Sequence, residues 1–143
     1  MIFHNRQRNI ESIAPKLTLN GHQIERVTDF NFLGLNIDQH MSWNSHINKI
    51  SLKMSKTIGI LCKLKRYLPQ EILLMIYNSL IMPHIQYGIL CWGHKSNRIF
   101  ILQKRALRLI TNSKYNAHTE PLFKMLKTSK TSGIYKLNML KLY

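Results

Sequence analysis

The sequence predicts a mainly α member of the α+β class: a small N-terminal antiparallel β-hairpin element followed by a bundle of helices. Three observations carry this expectation. Between Phe30 and Ile37 apolar residues alternate with polar ones at the period of a half-buried strand. From Ile47 onward, Ile47, Ile50, Met54, Ile58, Leu61 and Leu64 recur at steps of three or four, the period of a helix. Upstream, Asn20-Gly21 lies between Leu17-Thr18-Leu19 and His22-Gln23-Ile24, and supplies the two positive-φ positions of a type I′ hairpin turn.

Taken in order, Met1 to Phe3 read as the tail of a strand and Asn5 to Lys16 as a polar loop. Phe30 and Phe32 carry the apolar side of the next strand, but Leu33, Leu35 and Ile37 carry it in the opposite phase. A phase change beside Gly34 points to a β-bulge, or to backbone that must approach a ligand closely. Ser42 or Asn44 can cap a helix running to about Tyr67, and Pro69 suits the first turn of a second helix. That helix, Glu71 to Ile81, is nearly all apolar and should end or kink at Pro83. Ile85 to Trp92 is expected to form another apolar helix closing at Gly93, with Tyr77, Tyr87 and Trp92 in the core. Ser96 or Asn97 opens a helix to about Thr111, and Thr119 caps a short one containing Pro121. Ile134, Leu137 and Leu140 form a last amphipathic pattern still running at Tyr143, as if the parent sequence continued.

Lysine and arginine number 21 against 6 acids, a net charge of +15 and an isoelectric point near 10.2. Such a balance repels itself unless a polyanion neutralises it, so nucleic acid is the first partner to expect and an anionic membrane surface the second. A hydrophobic content of 45% is too high for a disordered chain. No apolar run of membrane-spanning length and no signal-peptide pattern is present, and Cys62 and Cys91 lack any Cys-x-x-Cys spacing. The cysteines are expected reduced and buried or half-buried, in an intracellular protein that is not secreted. On the first long helix Lys49, Lys53, Lys56 and Lys63 share one face, separate from the apolar stripe. With few acids available for i,i+4 pairing, a phosphate-tracking face stands beside the plain reading of a solvated one. On the later helix, Lys104 and Arg108 lie four apart, and Arg98 and Arg105 seven apart.

Catalytic chemistry is hard to assemble from what remains. Two-metal phosphoryl transfer needs converging carboxylates, whereas Glu11, Glu25, Asp29, Asp38, Glu71 and Glu120 are scattered singly. His40 and His46 flank the strand-to-helix junction near Asp38, but no further carboxylate or cysteine stands at ligand spacing. They are expected to cap, hydrogen-bond or lie exposed. The six glycines form no phosphate loop.

An ordered series of short motifs adds to this. Phe32-Leu33-Gly34, Ile37-Asp38, Met41-Ser42-Trp43 and His46-Ile47 are followed by Leu68-Pro69, the run Ile76 to Pro83, Tyr87 and Trp92-Gly93. The run Leu102-Gln103-Lys104-Arg105-Ala106-Leu107-Arg108 and then Ala117-His118-Thr119-Glu120-Pro121-Leu122 complete it. No tripeptide is specific, but the order is, and it resembles the reverse transcriptase (RNA-directed DNA polymerase) of non-LTR retrotransposons of the jockey kind. The resemblance implies the end of the palm with its primer-grip hairpin over 1–39, a helical thumb-like domain over 40–115, and the truncated start of a helical extension over 116–143. It implies nucleic-acid contacts at Phe32, Leu33 and Gly34, which would set the primer end. Lys49, Lys53, Lys56 and Lys63 would track phosphates, and Arg105 and Arg108 would add to them. The partners would be an RNA–DNA or RNA template-primer duplex and the missing palm and fingers. No cofactor is expected in this chain, because the parent's Mg and catalytic aspartates would lie in a palm upstream of Met1. Alone it should be inactive. The alternative is an inactive transposon-derived remnant, or a helical interaction protein that binds no nucleic acid.

Overall fold

The chain has the predicted mainly α, α+β fold in a computed structural model that describes residues 1–5 and 17–142. The loop expected over Asn5 to Lys16 falls, from Arg6 onward, outside the described residues. Two units divide the chain, Met1–His46 and Ile47–Tyr143.

The first unit holds two separate antiparallel hairpins. β1 (Thr18–Leu19) pairs with β2 (His22–Gln23), and β3 (Asp29–Phe32) pairs with β4 (Leu35–Asp38). Asn20 and Gly21 take φ of 48° and 79°, the left-handed pair that the Asn-Gly turn requires. The second hairpin turns on Leu33 and Gly34, at φ 47° and 82°, with Phe32 opposite Leu35. The phase change is therefore a two-residue turn and not a bulge, because the alternation restarts on the partner strand. Phe30 and Phe32, expected half-buried, stay 52% and 55% exposed. Met1 to Phe3 form no strand; His4 N–H instead donates to the Gln39 carbonyl at 3.0 Å.

The second unit is helical. α1 (Asn44–Leu64) begins one turn before the boundary, and α2 (Gln70–Leu80), α3 (Met82–Gln86) and α4 (Ile89–Trp92) follow. After a 3₁₀ turn at Gly93–Lys95 come α5 (Asn97–Ile110), α6 (Glu120–Met125) and α7 (Thr131–Leu140). The helix predicted over Ile85 to Trp92 is broken: Tyr87 leaves the helical region and Gly88 turns left-handed at φ 62°. Tyr87 is consequently 55% exposed, not core, whereas Tyr77 and Trp92 are fully buried as expected. Both cysteines are exposed, because Cys62 lies just past the buried stripe of α1 and Cys91 precedes buried Trp92 on the opposite side of a short helix.

The core gathers Met54, Ile58 and Leu61 of α1, Leu73 and Tyr77 of α2, Ile99, Leu107 and Ile110 of α5, with Ile85, Ile89 and Trp92. Residues 116–143 belong to this unit, α7 packing on α4 and α5 and α6 on α5. Gly93 admits that approach: a Cβ there would stand 2.5 Å from Tyr135 Cδ2. One buried polar group ties three elements together. Gln103 Nε2 donates to Tyr77 Oη and to the Ser129 carbonyl, both at 2.9 Å. Its Oε1 accepts from Thr131 N–H at 3.0 Å and from Thr131 Oγ1 at 2.9 Å. Among the described residues no single helix is long and apolar enough to cross a membrane, and the pair of segments with enough apolar length is bent by 61°.

Candidate nucleic-acid interface

Charge is divided unequally between the two units. Before Ile47 the acids Glu11, Glu25, Asp29 and Asp38 balance Arg6, Arg8, Lys16 and Arg26. Only Glu71 and Glu120 follow, so the whole excess of +15 belongs to the helical unit. A neutral hairpin unit and a strongly basic helical one are thus the two parts in which a polyanion contact is to be sought.

On α1, Lys49, Lys53, Lys56 and Lys63 are all exposed. At 3.6 residues per turn they fall within an arc of about 80° and extend over about 21 Å. The buried residues Ile50, Met54, Ile58 and Leu61 occupy the opposite side of the same helix. Burial of that stripe fixes which way the lysines point. Among the described residues the one ion pair joins Lys130 to Glu120, so none of the four is neutralised by a carboxylate. Leu52 and Ile60, 63% and 48% exposed, lie among them. His84 of α3 stands close enough to matter: burial and then the charge of Lys53 push its imidazole below the usual histidine range. It is therefore neutral at pH 7 and adds no charge to the row.

The arginines of α5 are used differently. Arg105 is exposed on the solvent side, while Arg108 Nε donates to the Ala117 carbonyl at 3.0 Å and straps the following loop. Arg98 is held by Asn48 Oδ1 at the start of α1, and Lys104 lies 4.3 Å from the centre of the Phe100 ring. Arg105 is thus the α5 cation whose head is most available to a ligand.

In the hairpin unit, Phe32, Leu33 and Gly34 form the tip. Leu33 is 74% exposed in a left-handed conformation that costs a non-glycine residue about 1 kcal/mol or more. Asn31 Oδ1 accepts from Gly34 N–H at 3.1 Å and braces the turn.

Asp38, at the end of β4, organises the junction into α1. Its carboxylate accepts from the N–H groups of His40, Ser42 and Trp43 at 3.0 Å, and from Ser42 Oγ at 2.8 Å. Met41 and Trp43 take left-handed φ of 49° and 61° to make this possible. The spacing Asp38-x-x-x-Ser42 before an apolar helix is the sequence signal for this role. Ser42 Oγ in turn accepts from Asn44 N–H at 3.4 Å, and His46 Nδ1 from Asn36 N–H at 3.2 Å. His40 Nδ1 lies 3.0 Å from the His4 carbonyl.

Burial raises the Asp38 carboxyl pKa, but the hydrogen bonds from Ser42, His40 and Trp43 outweigh it and leave it below 3.8. A folded pKa below the unfolded one means that this stabilisation is complete above pH 3.8 and lost as pH falls through the lower, folded value. The Ser42 and Trp43 amide chemical shifts should therefore be constant at neutral pH and move together only below that point. Asp38→Asn should abolish that titration and loosen the junction by about 1–3 kcal/mol at pH 7.

Among the described residues no three His, Cys, Asp or Glu side chains converge, and the Asp38 oxygens are engaged by backbone and hydroxyl donors.

Comparison with known proteins gives one informative relation. The chain is 26% identical over 124 residues to the RNA-directed DNA polymerase from the mobile element jockey of Drosophila melanogaster. The match covers 82% of this chain and 14% of that polymerase, so the chain spans a small part of its relative's length. No protein-family model and no solved structure matches. The similarity relates the chain to a segment of a mobile-element reverse transcriptase.

Proposed function

We propose that the chain is the primer-grip and thumb part of a mobile-element reverse transcriptase, a non-catalytic segment that holds a template-primer duplex. The observation that carries this reading is the α1 face: four exposed lysines, none paired with an acid, opposite a fully buried stripe. Ammonium groups spread over about 21 Å follow a phosphate backbone without reading its sequence. Similarity to the jockey polymerase and the order of the motifs support the assignment of the duplex as RNA–DNA or RNA. Arg105 extends the basic surface, and Arg108 contributes by positioning the loop it straps.

The Phe32-Leu33-Gly34 tip supplies the grip. An exposed leucine at the turn of the hairpin offers an apolar contact to the primer end. The chain would act with the palm and fingers of its parent, inside the cell. Magnesium and the catalytic aspartates would reside in that palm.

Titrating a labelled RNA–DNA hybrid with the chain and with a variant carrying glutamine at Lys49, Lys53, Lys56 and Lys63 tests the thumb assignment. Weaker binding by the variant supports it; equal binding overturns it. Leu33→Asn tests the grip separately. It creates the Asn-Gly pair favoured in a type I′ turn, so hydrogen-exchange protection of the β3–β4 amides should rise by about 0.5–1 kcal/mol. Hybrid affinity should fall at the same time. A stabler hairpin with unchanged binding would leave the tip without this role.

A further inference from the structure

We propose that one end of the helical unit forms a second nucleic-acid site, for a single strand: a basic pocket takes a backbone phosphate, and Tyr67 and Tyr115 offer stacking platforms for its bases. The pocket, a cavity of about 430 Å³, brings together Lys65 and Arg66 after α1, Gln70 and Leu73 of α2, and Thr111 and Asn112 after α5. Its size falls in the range of small-ligand pockets. Lys65 Nζ donates to Asn112 Oδ1 at 3.4 Å, which ties the turn after α1 to the turn after α5. That acceptor is an uncharged amide and not a carboxylate.

The surrounding dipoles agree with an anion. Gln70 is the first residue of α2, and Pro69 before it offers no side-chain cap, so the positive end of an 11-residue helix lies at the lining. The opposing carbonyls at the end of α5 are tied back, Leu107 O by Thr111 N–H at 3.0 Å and Leu109 O by Asn112 N–H at 3.3 Å. Among the described residues no carboxylate lines the pocket; Glu71, next along α2, is outside it. Two cations with the amide side chains of Gln70 and Asn112 and no acid favour a phosphate group.

The aromatic rings distinguish strand from duplex. Tyr67 and Tyr115, 81% and 87% exposed, are the most exposed large apolar side chains among the described residues, while Tyr77 and Trp92 are completely buried. Each follows a cation directly, Arg66 and Lys114. The loop carrying Tyr115 is pinned rather than loose: Ser113 N–H donates to the Arg108 carbonyl at 2.9 Å and Ala117 N–H to that of Lys114 at 3.0 Å. Arg108 Nε donates to the Ala117 carbonyl, and the Thr111 and Ser113 hydroxyls lie 2.7 Å apart. A ring exposed to solvent stacks on an unpaired base, whereas a duplex hides its base faces. Its lining includes none of the four α1 lysines, and its exposed rings add stacking to charge.

The test is fluorescence anisotropy of the full chain with a labelled oligouridine and, in parallel, a labelled RNA–DNA hybrid. Tyr67→Ala with Tyr115→Ala, and separately Lys65→Gln with Arg66→Gln, should each raise the single-strand Kd by about tenfold or more. For the tyrosine pair the hybrid Kd should change less than about twofold, because a duplex offers no unpaired base to these rings. Tyr67→Phe with Tyr115→Phe, which keeps the rings, should restore single-strand binding and so separates stacking from misfolding. Unchanged single-strand binding, equal losses on both nucleic acids, or capture of anionic vesicles in place of the oligonucleotide would overturn the proposal. If the α1 lysine variant binds the hybrid normally while the tyrosine variants lose the single strand, the duplex reading falls and this one stands.

Discussion

Gln103→Leu should destabilise the helical unit by about 3–4 kcal/mol and lower its melting temperature by more than about 10 °C. The side chain is completely buried, and leucine nearly matches its volume, so packing alone would predict a small effect. Hydrogen bonding predicts a large one. The substitution removes both donors and the shared acceptor, leaving Tyr77 Oη, the Ser129 carbonyl, Thr131 N–H and Thr131 Oγ1 without those bonds in an apolar interior. Each buried group left unsatisfied costs about 1–3 kcal/mol, less where a hydroxyl can turn to another acceptor. Because the four bonds link α2, α5 and the start of α7, the loss should appear as one cooperative transition and not as local fraying. Tyr77→Phe removes one of the four bonds and should cost about 1 kcal/mol. In the double variant the two costs should not add, since they share a bond. Tyr77 remains a neutral phenol throughout, its pKa pushed up to about 12 by burial although the Gln103 bond opposes that rise. A thermal melt of each variant checks the prediction; a cost for Gln103→Leu below about 1 kcal/mol would show that the network contributes little.

The second large effect is on binding. Replacing Lys49, Lys53, Lys56 and Lys63 by glutamine should weaken RNA–DNA hybrid binding by about 10²- to 10³-fold near 0.1 M salt. These side chains are exposed and lack carboxylate partners among the described residues, so their removal should leave the fold intact. Glutamine preserves much of the aliphatic stem, hence the change isolates charge. With the four charges on one face, their effects on a phosphate backbone should combine; on separate faces, each would act with only part of the ligand. Circular dichroism should remain that of the unaltered chain while affinity falls.

Much of the helical architecture was legible because burial imposes period. Ile50, Met54, Ile58 and Leu61 lie inward, and their spacing announced both α1 and the outward direction of its lysines. Asn20-Gly21 likewise announced its turn, since few residue pairs tolerate two left-handed positions. Features without a hydropathy signature were not legible. Gln103 looks like a surface residue in a basic run, and only the meeting of α2, α5 and α7 makes it a buried junction. Gly88 sits within an apolar stretch, where nothing in its neighbours announced a left-handed break. At the candidate interface, the lysine face could be read from spacing. The differing uses of Arg105 and Arg108 could not, because they depend on a loop carbonyl nine residues along the chain. Phe30 and Phe32 show the reverse: alternation promised half-burial, yet both remain more than half exposed.

Counterion release gives the sharpest separation between a working phosphate-binding face and a merely solvated one. Hybrid affinity should be measured for the unaltered chain and the four-lysine variant from low to moderate salt, and log K plotted against log salt. If each of the four lysines neutralises a phosphate, the variant's slope should be shallower by about 3–4. Parallel lines of the same steep slope would place the phosphate-binding charges elsewhere on the basic unit, and shallow lines for both would contradict the assignment of this chain as a duplex-holding segment.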